Sequence, residues 1–257
     1  MTPIPPILSE VIVFMKRMLF LLLCLCLALP AAALASPLTL TGDLTASYVP
    51  DGVDYRFTIA LPQIDGDCET AQLINSTFAM EMAEQVEFKA QIQADFFAMS
   101  GSAGYTDVSY EITCNTDDYF SVLLTTEQQE NDTVTRIVAG HVFARSGPKQ
   151  GQVLSLPYLL ELLDGSEVDE WLESYQTERA NACVRRMIWE QIEADTETPF
   201  FDALDEAWFE GCFYPEEDFW MAEDGALVFF LQPGFIADRE AGLLTYRFTV
   251  EEILDEL

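Results

Sequence analysis

Residues 69–99 read ETAQLINSTFAMEMAEQVEFKAQIQADFFAM, and this stretch decides the fold class of the chain. It contains neither proline nor glycine, and its large apolar residues recur at intervals of about 3.6 residues. These residues are Ile74, Phe78, Met82, Ile92 and Phe96. The pattern predicts one long amphipathic helix whose apolar side packs against a β-sheet. A groove for a partner helix is the alternative, but this spacing favours core packing.

Strand-like segments lie on both sides of the predicted helix. Before it, a turn at Pro50, Asp51 and Gly52 separates two runs rich in β-branched and aromatic residues. After it, short polar connections join three more runs, as in antiparallel hairpins. The five predicted strands are 38–49, 53–64, 105–114, 119–128 and 133–146. A helix lying on an antiparallel sheet buries the apolar faces of both, so the expected fold class is α+β.

The second half of the chain again has a helix followed by strands. After a pattern break at residues 146–152 and a short helical turn, residues 167–194 predict a second long helix. Its inward residues are expected to be Val168, Leu172, Tyr175, Ile188 and Ile192. Strands follow at about 217–222, 226–232 and 243–249. We therefore expect two similar-sized parts, 36–150 and 151–257, each with an antiparallel sheet packed against a long helix.

One turn in the second part has a strong sequence pattern. Asp224 followed by Gly225 separates two apolar runs and predicts a hairpin with a type I′ turn. A hairpin explains this stretch without any ligand.

Residues 1–35 have the pattern of a secretory signal peptide. Lys16 and Arg17 precede an apolar run, and residues 33–35 form a small-x-small cleavage site. An uncleaved membrane anchor is the alternative, but the apolar run is short for a span. Met15 is an alternative translation start, because the residues before it place an acid where a basic segment belongs. We expect an exported product, periplasmic or extracellular, with no membrane span after cleavage.

The charge of the chain limits its partners. It has 12 Lys and Arg against 44 Asp and Glu, a formal net charge of −32. Without residues 1–35 the net charge is −33, because two bases and one acid are removed. Nucleic acid and anionic lipid are therefore poor partners, whereas a cationic protein would be attracted. Solubility in a salty or acidic environment is the plainer interpretation, and it stays open.

Four cysteines lie outside the predicted signal peptide, and an even number in an oxidising compartment favours two disulfides. They are Cys68, Cys114, Cys183 and Cys212. Of the three possible pairings, Cys68 with Cys114 and Cys183 with Cys212 keeps each bridge within one half of the chain. A structural metal site is the alternative, but no two of these cysteines have C-x-x-C spacing. We expect neither a metal nor another cofactor.

Catalytic side chains other than carboxylates are scarce. His141 is the one histidine, whereas zinc hydrolases need at least two imidazoles. No G-x-S-x-G elbow accompanies it, so we expect His141 to be a structural strand residue. Asp65 and Asp67 look like the start of a calcium loop but lack the later ligands, which favours a turn. Carboxylate pairs for glycoside hydrolysis stay open, because sequence does not show which acids converge. On balance we expect no enzymatic activity.

Residues 218–242, DFWMAEDGALVFFLQPGFIADREAG, resemble the signature of the exported domain of the RsiV family of lysozyme-sensing anti-sigma factors. The matching positions are Phe219, Gly225, Leu227, Phe229, Leu231, Pro233, Ile236, Ala237 and Gly242. Phe235 stands where that family usually has tyrosine. Upstream, Gly151, Leu154, Leu156 and Leu160 match a second segment of the family. In the N-terminal half, Pro62, Ile64 and Asn75 resemble the accessory domain of PdaC-type peptidoglycan deacetylases.

This resemblance implies a domain of unknown function with an α+β fold that senses or binds at the cell envelope. The implied partners are a cationic protein such as lysozyme or a peptidoglycan component. The sequence shows neither a deacetylase domain nor a sigma-binding region, so we expect the binding module alone. Two further hypotheses are a carboxylate-based hydrolase of wall polysaccharide and a purely structural envelope protein.

Overall fold

The computed structural model describes residues 37–164 and 173–257, without the side chains of 162, 164 and 173–176. The predicted signal peptide and the first part of the predicted second helix, residues 167–172, lie outside the described residues. Residues Pro37–Leu257 form one compact unit. No helix in the described ranges is long and apolar enough to cross a membrane.

The α+β class is confirmed, and its larger sheet has five strands in the order β1-β2-β3-β4-β5. They are β1 Leu40–Tyr48, β2 Tyr55–Ile64, β3 Gly104–Asn115, β4 Tyr119–Glu130 and β5 Thr133–Ala144. Neighbouring strands pair antiparallel except β2 and β3, which are parallel. This pairing differs from the all-antiparallel expectation, because the helix between β2 and β3 returns the chain to the same end of the sheet.

The predicted long helix is divided by one π-helical turn. It consists of α1 Glu69–Glu84, the π turn Gln85–Lys89 and α2 Ala90–Ser100. Its N-terminal part buries residues of the predicted face, namely Ile74, Phe78 and Met82. Gly101 ends the helix in the left-handed conformation, and its N–H donates to the carbonyl of Phe97 at 3.0 Å.

The expected inward positions of Ile92 and Phe96 are wrong. Their side chains are 54% and 44% exposed, and α2 instead buries Ala90, Ala94 and Phe97. A π turn holds one more residue than an α-helical turn, so it rotates every later side chain about the helix axis. The buried face therefore moves by one residue along the sequence, from Phe96 to Phe97.

The described residues of the C-terminal part form four α-helices and a three-stranded antiparallel sheet in the order β6-β7-β8. The helices are α3 Leu156–Asp164, α4 Glu173–Ala194, α5 Glu206–Cys212 and α6 Val250–Glu256. The strands are β6 Phe219–Met221, β7 Leu227–Leu231 and β8 Leu244–Phe248. In α4, Ile188 and Ile192 are buried, as the periodicity predicts.

The β6–β7 hairpin is present, but its turn is not type I′. Gly225 has a φ of +85°, whereas Asp224 is not among the positive-φ residues of the described chain. The N–H of Ala222 donates to the carbonyl of Ala226 at 2.8 Å, which leaves three residues in the loop. A type I turn followed by one left-handed glycine is the usual form of such a loop.

The two sides of the larger sheet pack against different elements. On one side, Phe57 and Phe120 contribute to a cluster with the buried residues of α1 and α2. Near the end of β5, Val142 and Ala144 belong instead to the cluster of the C-terminal part. Both clusters belong to the compact unit Pro37–Leu257, and the predicted boundary at residue 150 stays a prediction.

Candidate functional site

An exposed apolar row follows the π turn and α2. Its members are spaced by four, four and three residues, which places them on one side of a helix. They are Phe88, Ile92, Phe96 and Met99, with exposed fractions of 63%, 54%, 44% and 81%. Large apolar side chains that lie together on the surface mark an interaction surface more often than isolated ones do. We call these four side chains the apolar row.

Acidic side chains accompany the apolar row. Residues 80–100 contain four acids and one base. Glu84, Glu87 and Asp95 are exposed, and the base, Lys89, pairs with Glu84 at 3.3 Å between Nζ and Oε1. The surface thus combines aromatic and aliphatic contacts with net negative charge.

A cleft of about 640 Å³ lies on the sheet surface of β4 and β5. One wall consists of residues of the two strands, including Leu123, Thr125 and Val138. The opposite wall is the segment 232–243, which follows β7. The amide of Gln232 fixes this segment, because it donates to the carbonyl of Val138 at 2.7 Å and accepts the Val138 N–H at 3.0 Å. We call this space the β4–β5 cleft.

Two members of a small polar network, Glu127 and Arg136, line the β4–β5 cleft. Arg136 donates to Glu127 at 2.6 Å, and the hydroxyl of Tyr105 donates to the same carboxylate at 2.6 Å. The Tyr105 hydrogen bond, followed by that of Arg136, lowers the pKa of Glu127. Glu127 is therefore an ionised and already partnered carboxylate at neutral pH.

A second cavity, of about 430 Å³, brings the one histidine of the chain together with an acidic run. It is lined by His141 and Ser155 and by the consecutive acids Glu216, Glu217 and Asp218. Burial raises the pKa of Asp218 to about 6, and the negative charges of Glu217 and Glu216 add to this rise. Burial lowers the pKa of His141. We call this space the His141 cavity.

Sequence reasoning missed the His141 cavity. From the sequence, His141 is expected to be a structural strand residue, and no sequence pattern links it to the acids at 216–218. The histidine does contact the core, with its ring centroid 6.3 Å from that of Phe143. The cavity forms because residue 140 is glycine: a Cβ there would lie 1.8 Å from the carbonyl oxygen of Phe219. Glycine in β5 lets β6 approach closely, and the acids just before β6 come with it. The glycine next to the histidine was the available sequence signal.

The four cysteines are free thiols in the structure, so neither predicted disulfide is shown. Cys68 is exposed at the start of α1, whereas Cys114 and Cys183 are buried and Cys212 is half-buried. Burial raises the pKa of Cys114 and of Cys183, and it raises that of Cys212 to about 11. Disulfide pairing stays a prediction from cysteine number and compartment.

The motif positions of the C-terminal half lie in two places. Phe219 and Phe229 are buried in the core, with ring centroids 5.8 Å apart, and Gly225 forms the hairpin turn. Pro233 and Gly242, in contrast, line the β4–β5 cleft. In the N-terminal half, Asn75 pairs its amide with the backbone of Ile64 at 3.0 and 2.8 Å. Asn75 therefore fixes α1 to β2.

Metal ligands do not converge in the part of the chain that the structure describes. No group of three or more His, Cys, Asp or Glu side chains there is placed to hold a metal ion.

Comparisons with known proteins give partial structural similarity. No protein-family model matches the chain, and no curated protein matches it in sequence. A DUF3298 family protein from Pseudomonas aeruginosa is 13% identical, with a TM-score of 0.49 over 87% of this chain and 95% of that chain. A DUF3298 member from Bacteroides fragilis is 11% identical, with a TM-score of 0.48 over 84% of this chain and 94% of that chain. The structures similar to this chain thus include proteins of a domain-of-unknown-function family, and the finer resemblance to RsiV and PdaC stays a prediction.

Proposed function

We propose that the chain is an exported, non-enzymatic binding module of the cell envelope that docks a cationic protein, such as lysozyme, or a cationic wall component. The observation that carries this proposal is the apolar row along the π turn and α2, with the exposed acids beside it. The signal-peptide pattern of residues 1–35 and the net charge of −32 support it. Aromatic and methionine side chains are enriched at the centres of protein interfaces.

The two parts of this surface have different physical roles in binding. The negative charge of the module accelerates encounter with a cationic partner, and salt weakens this attraction. The apolar row supplies contacts that exclude water and keep the partner bound, as interface anchors do. A surface with charge alone would attract any polycation without saturating at a defined ratio.

Calorimetric titration of the purified chain with a lysozyme tests the proposal. At low salt we expect saturable binding at a 1:1 ratio. At 1 M salt, where the screening length is about 3 Å, we expect binding to be at least about tenfold weaker. Polylysine is the control for charge alone. Lysozyme is refuted as the partner if it does not bind at low salt, or if it binds with the same variable ratio as polylysine, and a cationic wall component is then the partner to test.

A carboxylate-based hydrolase acting on wall polysaccharide is the second candidate function. The observation that favours it is Asp218, whose pKa near 6 suits a general acid, in one cavity with Glu216 and Glu217. Against it, Glu216 accepts a hydrogen bond from Asn181 at 2.5 Å, and Asp218 accepts one from the N–H of Tyr214 at 2.8 Å. These contacts also suit a structural turn.

Peptidoglycan fragments separate the two candidates. If the wild type hydrolyses these fragments and Asp218→Asn does not, the hydrolase is supported. If the chain is a binding module, we expect neither the wild type nor Asp218→Asn to cleave them. A chain that neither binds nor cleaves would fit the remaining hypothesis, a purely structural envelope protein.

A further inference from the structure

The β4–β5 cleft contains a cation that has no carboxylate partner among the described residues. Arg239 lines the cleft, and within the described ranges no Asp or Glu oxygen lies within 4.0 Å of its guanidinium nitrogens. This is unexpected in a chain with 44 acids and 12 bases. The other arginine of the cleft, Arg136, is paired with Glu127. Of the two arginines that line the β4–β5 cleft, Arg239 is therefore the one without an ion pair to a described carboxylate.

Arg239 is exposed and makes two contacts at the walls of the cleft. Its Nη1 donates to Oγ1 of Thr135 at 3.3 Å, which directs the guanidinium toward β5. Its stem lies on Gly234, where a Cβ would be 2.8 Å from Cγ and 3.3 Å from Nε of the arginine. Gly234 has a φ of +86°, a backbone conformation that favours glycine. The backbone of the segment 232–243 thus leaves room for the arginine stem at this wall.

Half of the other ten residues that line the cleft are apolar. Its apolar lining residues come from both walls and are Leu123, Val134, Val138, Pro233 and Leu243. A volume of about 640 Å³ lies in the usual range for small-molecule sites. Such sites combine apolar walls with a few polar groups that fix the orientation of the ligand. The cleft therefore has one anion-binding group beside a surface for an apolar substituent.

We propose that the β4–β5 cleft binds a small monocarboxylate that carries an apolar substituent. The carboxylate pairs with Arg239, because a planar guanidinium can donate two parallel hydrogen bonds to it. The apolar substituent lies against the valine, leucine and proline side chains. A dianion such as phosphate fits less well, because the ionised Glu127 and the net negative charge of the chain repel a second negative charge. This site lies apart from the apolar row and does not depend on the proposed docking function.

Nuclear magnetic resonance titration with N-acetyl-leucine tests the proposal, with N-acetyl-leucinamide as the uncharged control. We expect saturable shifts of the Thr135 and Gly242 amide signals with the acid, and at least about tenfold weaker binding of the amide. Arg239→Gln should weaken binding of the acid about tenfold or more, and Arg239→Lys should restore part of it. Arg247→Gln is the matched control, because Arg247 pairs with Asp224 and does not line the cleft.

Three outcomes would overturn this assignment. The first is the absence of saturable shifts with the acid. The second is equal affinity for the acid and the amide, which would mean that charge plays no part. The third is unchanged affinity in Arg239→Gln, which would place the carboxylate elsewhere. None of these outcomes changes the expected titration with lysozyme, so failure here is distinguishable from failure of the docking proposal.

Discussion

Adjacent phenylalanines in α2 are expected to respond very differently to truncation. Phe97 is 1% exposed, and its ring stacks on that of Tyr55 with a centroid distance of 4.7 Å. Removing a buried phenylalanine side chain costs about 3–5 kcal/mol, because transfer free energy is lost and a cavity remains. We therefore expect Phe97→Ala to lower the free energy of unfolding by about 3–5 kcal/mol.

Phe96 is the matched control in the same turn. Its side chain is 44% exposed, so less apolar surface returns to water when it is removed. Alanine also has the higher helix propensity, by about 0.5 kcal/mol, which offsets part of this loss. We expect Phe96→Ala to cost about 1 kcal/mol or less, and the two variants to differ by roughly 3 kcal/mol.

Urea denaturation followed by circular dichroism measures both values. At this chain length, about 3–5 kcal/mol also corresponds to a fall in melting temperature on the order of 10 °C. Equal costs, or a larger cost for Phe96→Ala, would refute the rotation of the buried face at the π turn. The apolar row would then be part of the core, and the docking proposal would lose its surface.

Three further predictions concern the other parts of the structure. Gly140→Ala should lower the free energy of unfolding by about 3 kcal/mol in chemical denaturation, because the new Cβ would lie 1.8 Å from the carbonyl oxygen of Phe219. Gly211→Ala in α5 is the control: no atom lies within 4 Å of its new Cβ, so this change should be neutral or stabilising. Folding raises the pKa of Asp218 from 3.8 to about 6, so the stabilising contribution of this group is present below pH 4 and is lost as the pH rises through 6. In chemical denaturation, the free energy of unfolding of Asp218→Asn should therefore exceed that of the wild type by about 1–2 kcal/mol at pH 8, after allowance for solvent screening. Near pH 4 the two proteins should be equally stable. Under reducing, native conditions iodoacetamide should alkylate the exposed Cys68 first by mass spectrometry, since burial raises the pKa of Cys114, Cys183 and Cys212; equally fast labelling of Cys183 would contradict this burial.

Helices and strands could be located from the sequence where the spacing of apolar residues was regular. Alternating apolar residues such as Tyr55 and Phe57 located β2, and the 3.6-residue period located α1 through Ile74 and Phe78. The sequence could not place Phe96 and Phe97 correctly. A π turn has no distinctive composition, and a shift of one residue exchanges two identical side chains between core and surface.

The candidate sites depended on contacts between distant parts of the chain. His141 lines one cavity with the acids at 216–218, and Gly140 lets β6 approach β5 there. Arg239 reaches the cleft because Gln232 binds the backbone of Val138, 94 residues earlier. The local pattern at each of these residues is ordinary, so a single sequence gives no means of pairing them.

The most direct test of the docking proposal is to compare the affinity for lysozyme of a variant in the apolar row with that of a variant outside it. Phe96→Ser removes one member of the apolar row, and Phe235→Ser removes a phenylalanine of similar exposure outside it, at 41% against 44%. We expect Phe96→Ser to weaken calorimetric binding about tenfold, which corresponds to about 1.4 kcal/mol, and Phe235→Ser to leave it within about twofold of the wild type. Equal affinities for both variants would contradict docking on the apolar row.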